Sequence, residues 1–331
     1  MGVAVVLLAA LVAVSLGSTS IPPLTAVQIL VSHIPGVDIV QDWPRSWDTI
    51  LWQLRLPRIL LAGLVGGALA ISGATYQGLF RNPLADPYLI GVASGAGLGA
   101  TVVLVAGLTA FGVGTGLLPV AAFVGAIAAV SVAYLVARRS EGLPLTTLIL
   151  AGVAVSALCG AVGSLLMLRS DPDLRPLLSW LLGGLITAQW KHSWFILAYL
   201  VPGALVLLAY GRVLNVMQLD EERARQLGVN VERTKLVLIA AASLCTAAAV
   251  AFTGLIGFVG LVAPHVVRLL WGNDHRMLLP MAGLVGAAFL ILADLAARTI
   301  ISPAELPVGV VTAFCGAPFF LYLLMRHKAR M

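Results

Sequence analysis

Charged side chains are scarce: of 331 residues only 10% are charged, against 60% apolar residues and a mean hydropathy of +1.02. So little polar surface cannot enclose a soluble globule of this length, and the composition specifies a polytopic membrane protein. Lysine is rarer still, occurring as Lys191, Lys235 and Lys328, none of them in a GxxxxGK[ST] setting. That excludes a P-loop ATPase site within the chain. The three cysteines, Cys159, Cys245 and Cys315, sit far apart in apolar segments with no CxxC pair and no histidine at metal-ligand spacing. They read as inert thiols. HExxH and GxSxG are missing, and no two acids face one another as an intramembrane protease requires, so the chain carries no enzymatic site. Acids inside the apolar runs are nearly absent too. Asp294 stands out, with Arg298 four residues on and within pairing reach, which reads as a structural or outer-edge pair rather than a proton relay. An ion-coupled secondary carrier, the alternative from another class, would place more ionisable groups near the bilayer midplane. His265, behind Pro264, reads as a packing group rather than a metal or haem ligand. The formal charge of +6 is spread over segment ends, which fits topology signals and not a nucleic-acid surface.

What is present is a series of apolar runs containing most of the 34 glycines, as close helix packing in lipid demands. The fold class is all-α. At about 20 residues per crossing, ten spans fall at roughly 2–21, 57–79, 88–108, 117–137, 145–168, 191–211, 235–254, 257–271, 278–298 and 306–325. The eighth is short and glycine-rich, so a broken or tilted element is expected there. No Lys or Arg precedes the first run, which is therefore read as a retained helix and not a cleavable signal. With both termini cytoplasmic, thirteen of the twenty basic residues, among them Arg81, Arg138, Arg139, Arg212, Arg233 and Arg330, fall inside. That bias is the one the positive-inside rule demands.

Four connections carry information. The outer loop Pro22 to Leu56 holds Trp43, Trp47 and Trp52, which read as interfacial anchors. The outer loop Arg169 to Lys191 mixes Asp171, Asp173 and Arg175 with Trp180 and Trp190, and a short surface helix is expected in it. Between Gln77 and Gly99, QGLFRNPLADPYLIGVASGAGLG, the prolines Pro83 and Pro87 break helix while Arg81, Asn82 and Asp86 require water or a bilayer edge. Gly91, Gly95 and Gly99 then recur every fourth residue, predicting one smooth helix face. On the inner side, Val213 to Lys235 offers Asp220, Glu221 and Glu222 to cap a helix, Gly228 to end it and Asn230 to cap the next element, predicting two short helices about a glycine turn. From these residues alone the loop is either a solvated connector or a lever that docks into a partner.

Five motifs in order carry a resemblance: RLPR at Arg55 to Arg58, SGATYQGLFRNPLADPYLIGVASGA at Ser72 to Ala96, LDEERARQLGVNVER at Leu219 to Arg233, GFVGLVAPHVVRLL at Gly257 to Leu270, and AELPVGVVTAFCGAPFFLYLL at Ala304 to Leu324. The chain resembles the FecCD/BtuC-like permease subunits of ABC importers for iron chelates, haem and cobalamin, over nearly its whole length. The resemblance implies a type II ABC importer permease fold, a single transmembrane domain over 1–331 with a coupling loop at about 213–235. It implies a homodimer in the cell (inner) membrane, two ATP-binding cassette subunits at the cytoplasmic face that use the ATP, and an extracytoplasmic substrate-binding protein. No cofactor, metal or nucleic acid is expected on the chain itself. A ferric siderophore is the first expected substrate, with cobalamin or haem as alternatives. By motif position, the resemblance assigns ATPase coupling to Leu219, Asp220, Glu221, Glu222, Ala224, Arg225, Leu227, Gly228 and Val229. It assigns a cytoplasmic gate to Asn82, Leu84, Leu145, Thr146 and Thr147, and binding-protein docking to Arg55, Arg58 and Arg298.

Overall fold

The structure, a computed structural model, describes residues 2–17, 19–37, 40–108, 114–138, 142–169 and 175–328; Arg139, Asp171, Asp173 and Arg330 lie outside the described residues. Among those described, six helices are long and apolar enough to cross a bilayer, and shorter apolar helices occupy the other four expected spans.

The first expected span yields α1 (Gly2–Ser15), which stops several residues early. Its end is closed by the Arg55 guanidinium, which donates to the carbonyls of Val14 and Thr19, supplying donors that a helix C-terminus otherwise lacks. The loop from Pro22 to Leu56 is more helical than the sequence suggests. It contains α2 (Pro23–Ser32), started by proline at the first helical position, and α3 (Arg45–Thr49), which runs through one wide turn at Ile50–Arg55 into α4 (Leu56–Leu79). After the proline turn come α5 (Val92–Val105), α6 (Gly114–Ala137) and α7 (Leu145–Arg169). The expected short outer helix is α8 (Arg175–Leu181), followed by α9 (Trp190–Ala209). The charged loop after α9 holds α10 (Gly211–Met217) and α11 (Glu221–Gln226), and then α12 (Val231–Thr253), α13 (Val259–Trp271), α14 (His275–Thr299) and α15 (Val308–Lys328) complete the bundle.

Helix α4 is the axis of the bundle, buried along most of its length against α12, α13 and α14. Lipid tails are as apolar as leucine, so association depends on how closely the helices approach. Here main chain meets main chain: a Cβ on Gly66 would lie 2.3 Å from the carbonyl oxygen of Gly286, and one on Gly73 would lie 2.0 Å from that of Gly260. The predicted glycine face on α5 packs the same way against α6, through Gly95 on Gly125 and Gly99 on Ala121. Gly91 is not part of that face. With φ of 94° it sits just before α5 in a left-handed turn that a side chain would strain.

Two spans are interrupted, not one. The expected break before the eighth span is the non-helical run 254–258, so α13 begins well inside the bundle. The third span loses its first turn because the non-helical connection from α4, 80–91, extends into it. The two runs lie together. The Tyr88 hydroxyl donates to the carbonyl of Ile256 at 3.0 Å and accepts from its amide at 3.3 Å, while Pro87 abuts Gly260. Buried irregular backbone needs partners within the protein, and here one phenol serves both groups of Ile256. Removing that hydroxyl in Tyr88→Phe should cost about 1–3 kcal/mol, the usual penalty for orphaned buried backbone groups. A lowered denaturation midpoint in detergent would register it.

Candidate functional site

The polar groups gather at the two ends of the bundle. One end collects the proline turn, the start of α7, helices α10 and α11, and the connection from α13 to α14. Arg81 holds φ of 50°, a costly conformation for a non-glycine residue. Its Nε donates to the Met217 carbonyl at 2.9 Å, and Gln218 Nε2 returns a 2.7 Å bond to the carbonyl of Gly78. The turn is thus fastened to α10. Asn215 fastens α10 in the other direction, donating to Asp274 at 2.7 Å and accepting from the His275 amide at 2.9 Å. The hydrogen bonds of Arg276 hold the Asp274 carboxyl well below the usual carboxylate range.

Within the turn, Asn82 Oδ1 accepts from the Leu84 amide at 2.9 Å, a local bond that fixes the proline bend. Leu84 is left nearly half exposed at 47%. Asp86 accepts from the Tyr88 amide at 2.8 Å; loss of water pushes its carboxyl up to about 6, with that bond acting against the rise. Thr146 is exposed and Leu145 and Thr147 are half-buried at the start of α7. The contacts that tie the turn to α7 lie deeper than these three residues. Leu89 and Ile90 press on Gly152, and the Ser94 hydroxyl reaches that of Ser156 at 3.0 Å.

Helix α11 is defined at both ends as its sequence predicts. Asp220 Oδ1 accepts from the Arg223 amide at 2.7 Å. At the far end Val229 donates to Ala224 and Gly228 to Arg225, with Gly228 at φ of 84°, the two-bond closure that favours glycine. Asn230 caps the next helix through the Arg233 amide. That helix is not short, however. It is α12 itself, continuous for 23 residues, because nothing between Val231 and Thr253 breaks it. Ala224 is buried and anchors α11, whereas Leu219 and Leu227 are 52% and 63% exposed at its two ends.

At the opposite end, Arg55, Arg58 and Arg298 come together around one recess of about 390 Å³ that also includes Glu305. They are not free surface cations. Arg58 makes a two-pronged contact with Asp294, with Nε at 2.8 Å, and reaches Glu305 at 2.9 Å. Arg298 donates to the Ala13 carbonyl at 2.8 Å and lies 3.4 Å from Asp294. The Asp294 and Arg298 pair expected from spacing therefore exists, but Arg58, 236 residues away, is the closer partner. Beside this end Trp52 stacks on His33 at 4.5 Å and receives the Trp190 indole donor on its carbonyl. His265 packs between Phe319 and Phe320. Sequence reading missed Tyr88, Gln77, Glu232 and buried Lys235 as organising residues. Gln77 and Tyr88 were visible as polar side chains beside apolar runs, whereas Glu232 and Lys235 lie in a charged stretch and gave no separate signal.

A helical bundle with many apolar spans, two interrupted helices and a charged helical hairpin at one end defines a multi-pass membrane transport protein. The chain belongs to the FecCD transport family, whose model matches residues 5–326, and it is an ABC transporter permease. The cobalamin import system permease protein BtuC of Halobacterium salinarum is 49% identical over 287 residues, 87% of this chain and 76% of that protein. The hemin transport system permease protein HmuU of Yersinia pestis is 43% identical over 300 residues, 86% of this chain and 87% of that protein. A solved transporter described as metal-chelate type ABC, in an inward-facing conformation, superposes with a TM-score of 0.85 at 33% identity, covering 98% of this chain and 97% of that one.

Proposed function

We propose that two copies of this chain form the membrane path of a binding-protein-dependent importer for a metal chelate. The observation that carries this reading is α11: a capped, rigid helix with Leu219 and Leu227 exposed at its ends, on the same end of the bundle as Leu84. A separate ATPase subunit would grip these leucines, with Glu222 and Arg225 beside them. That end is then cytoplasmic, the termini lie inside, and the host membrane is the cell membrane. Asn82, Leu84 and the Leu145 to Thr147 segment form the inner gate, Leu84 packing apolar surface across the dimer axis.

The outer recess receives the loaded binding protein. One of its carboxylates enters and shares the Arg55, Arg58 and Arg298 guanidiniums with Asp294 and Glu305. A metal tetrapyrrole is the preferred cargo over a siderophore, because the relatives are named for cobalamin and hemin; cobalamin ranks first by identity. The test is uptake into proteoliposomes holding the permease with its ATPase and binding protein, using cyanocobalamin, hemin and a ferric hydroxamate as probes. ATP-dependent accumulation of one probe is expected. Accumulation driven by a proton gradient without ATP would instead make the chain a secondary carrier.

A further inference from the structure

Lys235 is the most deeply buried cation among the described residues, 1% exposed on the second turn of α12. Its ammonium is saturated from three directions. It donates to the Leu143 carbonyl at 2.8 Å, meets Glu221 of α11 at 2.8 Å, and lies 3.8 Å from Glu232. Glu232 in turn accepts from the Leu143 amide at 2.9 Å and approaches Arg225 of α11 at 3.5 Å. Both backbone groups of Leu143 are therefore held by neighbouring turns of α12, and α11 is tied to the same two residues. Charge-assisted bonds of this kind are short and roughly twice as strong as neutral ones.

Leu143 is itself buried, and Pro144 links it to the first residue of α7. Proline fixes its own φ and removes a soft dihedral, so the connection from the clasp to α7 has little slack. We propose that Lys235 is a positioning residue for transport. Its clasp on Glu221 and Leu143 passes displacement of α11 directly to the start of α7, without routing it through the bundle core. The proposal rests on α11 being the ATPase contact. It adds the residue that converts that contact into motion of the gate segment.

A purely structural anchor would lower assembly, ATP hydrolysis and transport together, whereas a transmitting clasp separates them. The experiment uses the full complex in proteoliposomes, with an environment-sensitive fluorophore at Leu150→Cys, which is 69% exposed on α7. Readouts are ATPase co-purification, ATP hydrolysis, the ATP-driven fluorescence change and cyanocobalamin or hemin carried per ATP. In Lys235→Met, co-purification and hydrolysis should stay within about twofold of wild type, while the fluorescence change and the cargo-to-ATP ratio fall at least about tenfold. Glu232→Gln, which keeps shape, removes one charge and lies outside the residues assigned to the ATPase contact, should give a smaller loss in the same two readouts. Unchanged coupling in both variants overturns the proposal, as does a parallel fall of all four readouts in both. Should Lys235→Met not assemble, Glu232→Gln decides alone. A Lys235-intact complex that hydrolyses ATP with no fluorescence change would overturn the clasp alone, whereas undiminished ATPase co-purification in Leu219→Glu with Leu227→Glu would overturn the reading of α11 as the ATPase contact, and the clasp with it.

Discussion

Gly73→Ala is expected to destabilise the bundle by about 3 kcal/mol or more, at or beyond the upper end of ordinary overpacking. The added methyl would meet the Gly260 carbonyl oxygen at 2.0 Å and the Gly260 Cα at 2.7 Å. Both are backbone atoms, so no rotamer change relieves the clash, and α4 and α13 must separate. Separation also breaks the 3.1 Å bond from Gln77 Nε2 to the Gly260 carbonyl and pulls on Pro87, which abuts the same glycine. A sharp loss of monodisperse protein in detergent, with a lower unfolding midpoint, is the expected measurement. Gly67→Ala is the control, because its methyl would stand 3.4 Å from the nearest atom. Its effect should stay within about 1 kcal/mol, the glycine-to-alanine difference in helix propensity acting in its favour.

Arg58→Met should be comparably damaging for an electrostatic reason. Asp294 is 1% exposed and Arg58 10%, so removing the cation strands a carboxylate that water does not reach. Breaking a buried pair from one side costs about 3–5 kcal/mol, whereas replacing both partners by apolar groups can be nearly neutral. Arg298 at 3.4 Å offsets part of the loss. The double variant Arg58→Met with Asp294→Leu should therefore recover most of the stability lost in the single one. Thermal unfolding of all three proteins measures the coupling. A double variant as unstable as the sum of the two singles would show that the pair contributes little.

The fold was legible where the physics is local. Ten spans follow from apolar length, and the Asp220, Gly228 and Asn230 caps follow from side chains bonding within three or four residues. The short eighth span was visible in its glycines, but the shortened third was not. Pro87 and Gly91 mark the break, yet how far the non-helical run continues depends on Tyr88 finding Ile256, 168 residues on. Early closure of α1 depends on Arg55, and the length of α12 on the absence of any breaker after Asn230. Residue type placed Arg55, Arg58 and Arg298 at helix ends. Their burial is a property of Asp294, Glu305 and the α1 carbonyls, which no neighbouring sequence position reveals. Lys235 is the plainest case: three residues from Glu232 it reads as a helix-end charge, and only the return of the chain at Leu143 makes it a clasp.

The separation of Arg58 from Asp294 also sets an order for biosynthesis. At about 5–20 residues per second, the ribosome finishes Asp294 roughly 10–50 seconds after Arg58 has been made. Over that interval a guanidinium near the end of a newly inserted helix lacks the buried carboxylate it pairs with in the finished bundle, and α4 lacks the glycine surface of α14 that it packs on. The N-terminal half must therefore wait at the insertion machinery, or with its arginine drawn to the headgroups, until the ninth span arrives. Closure of that ion pair is then a late event, with only α15 left to follow.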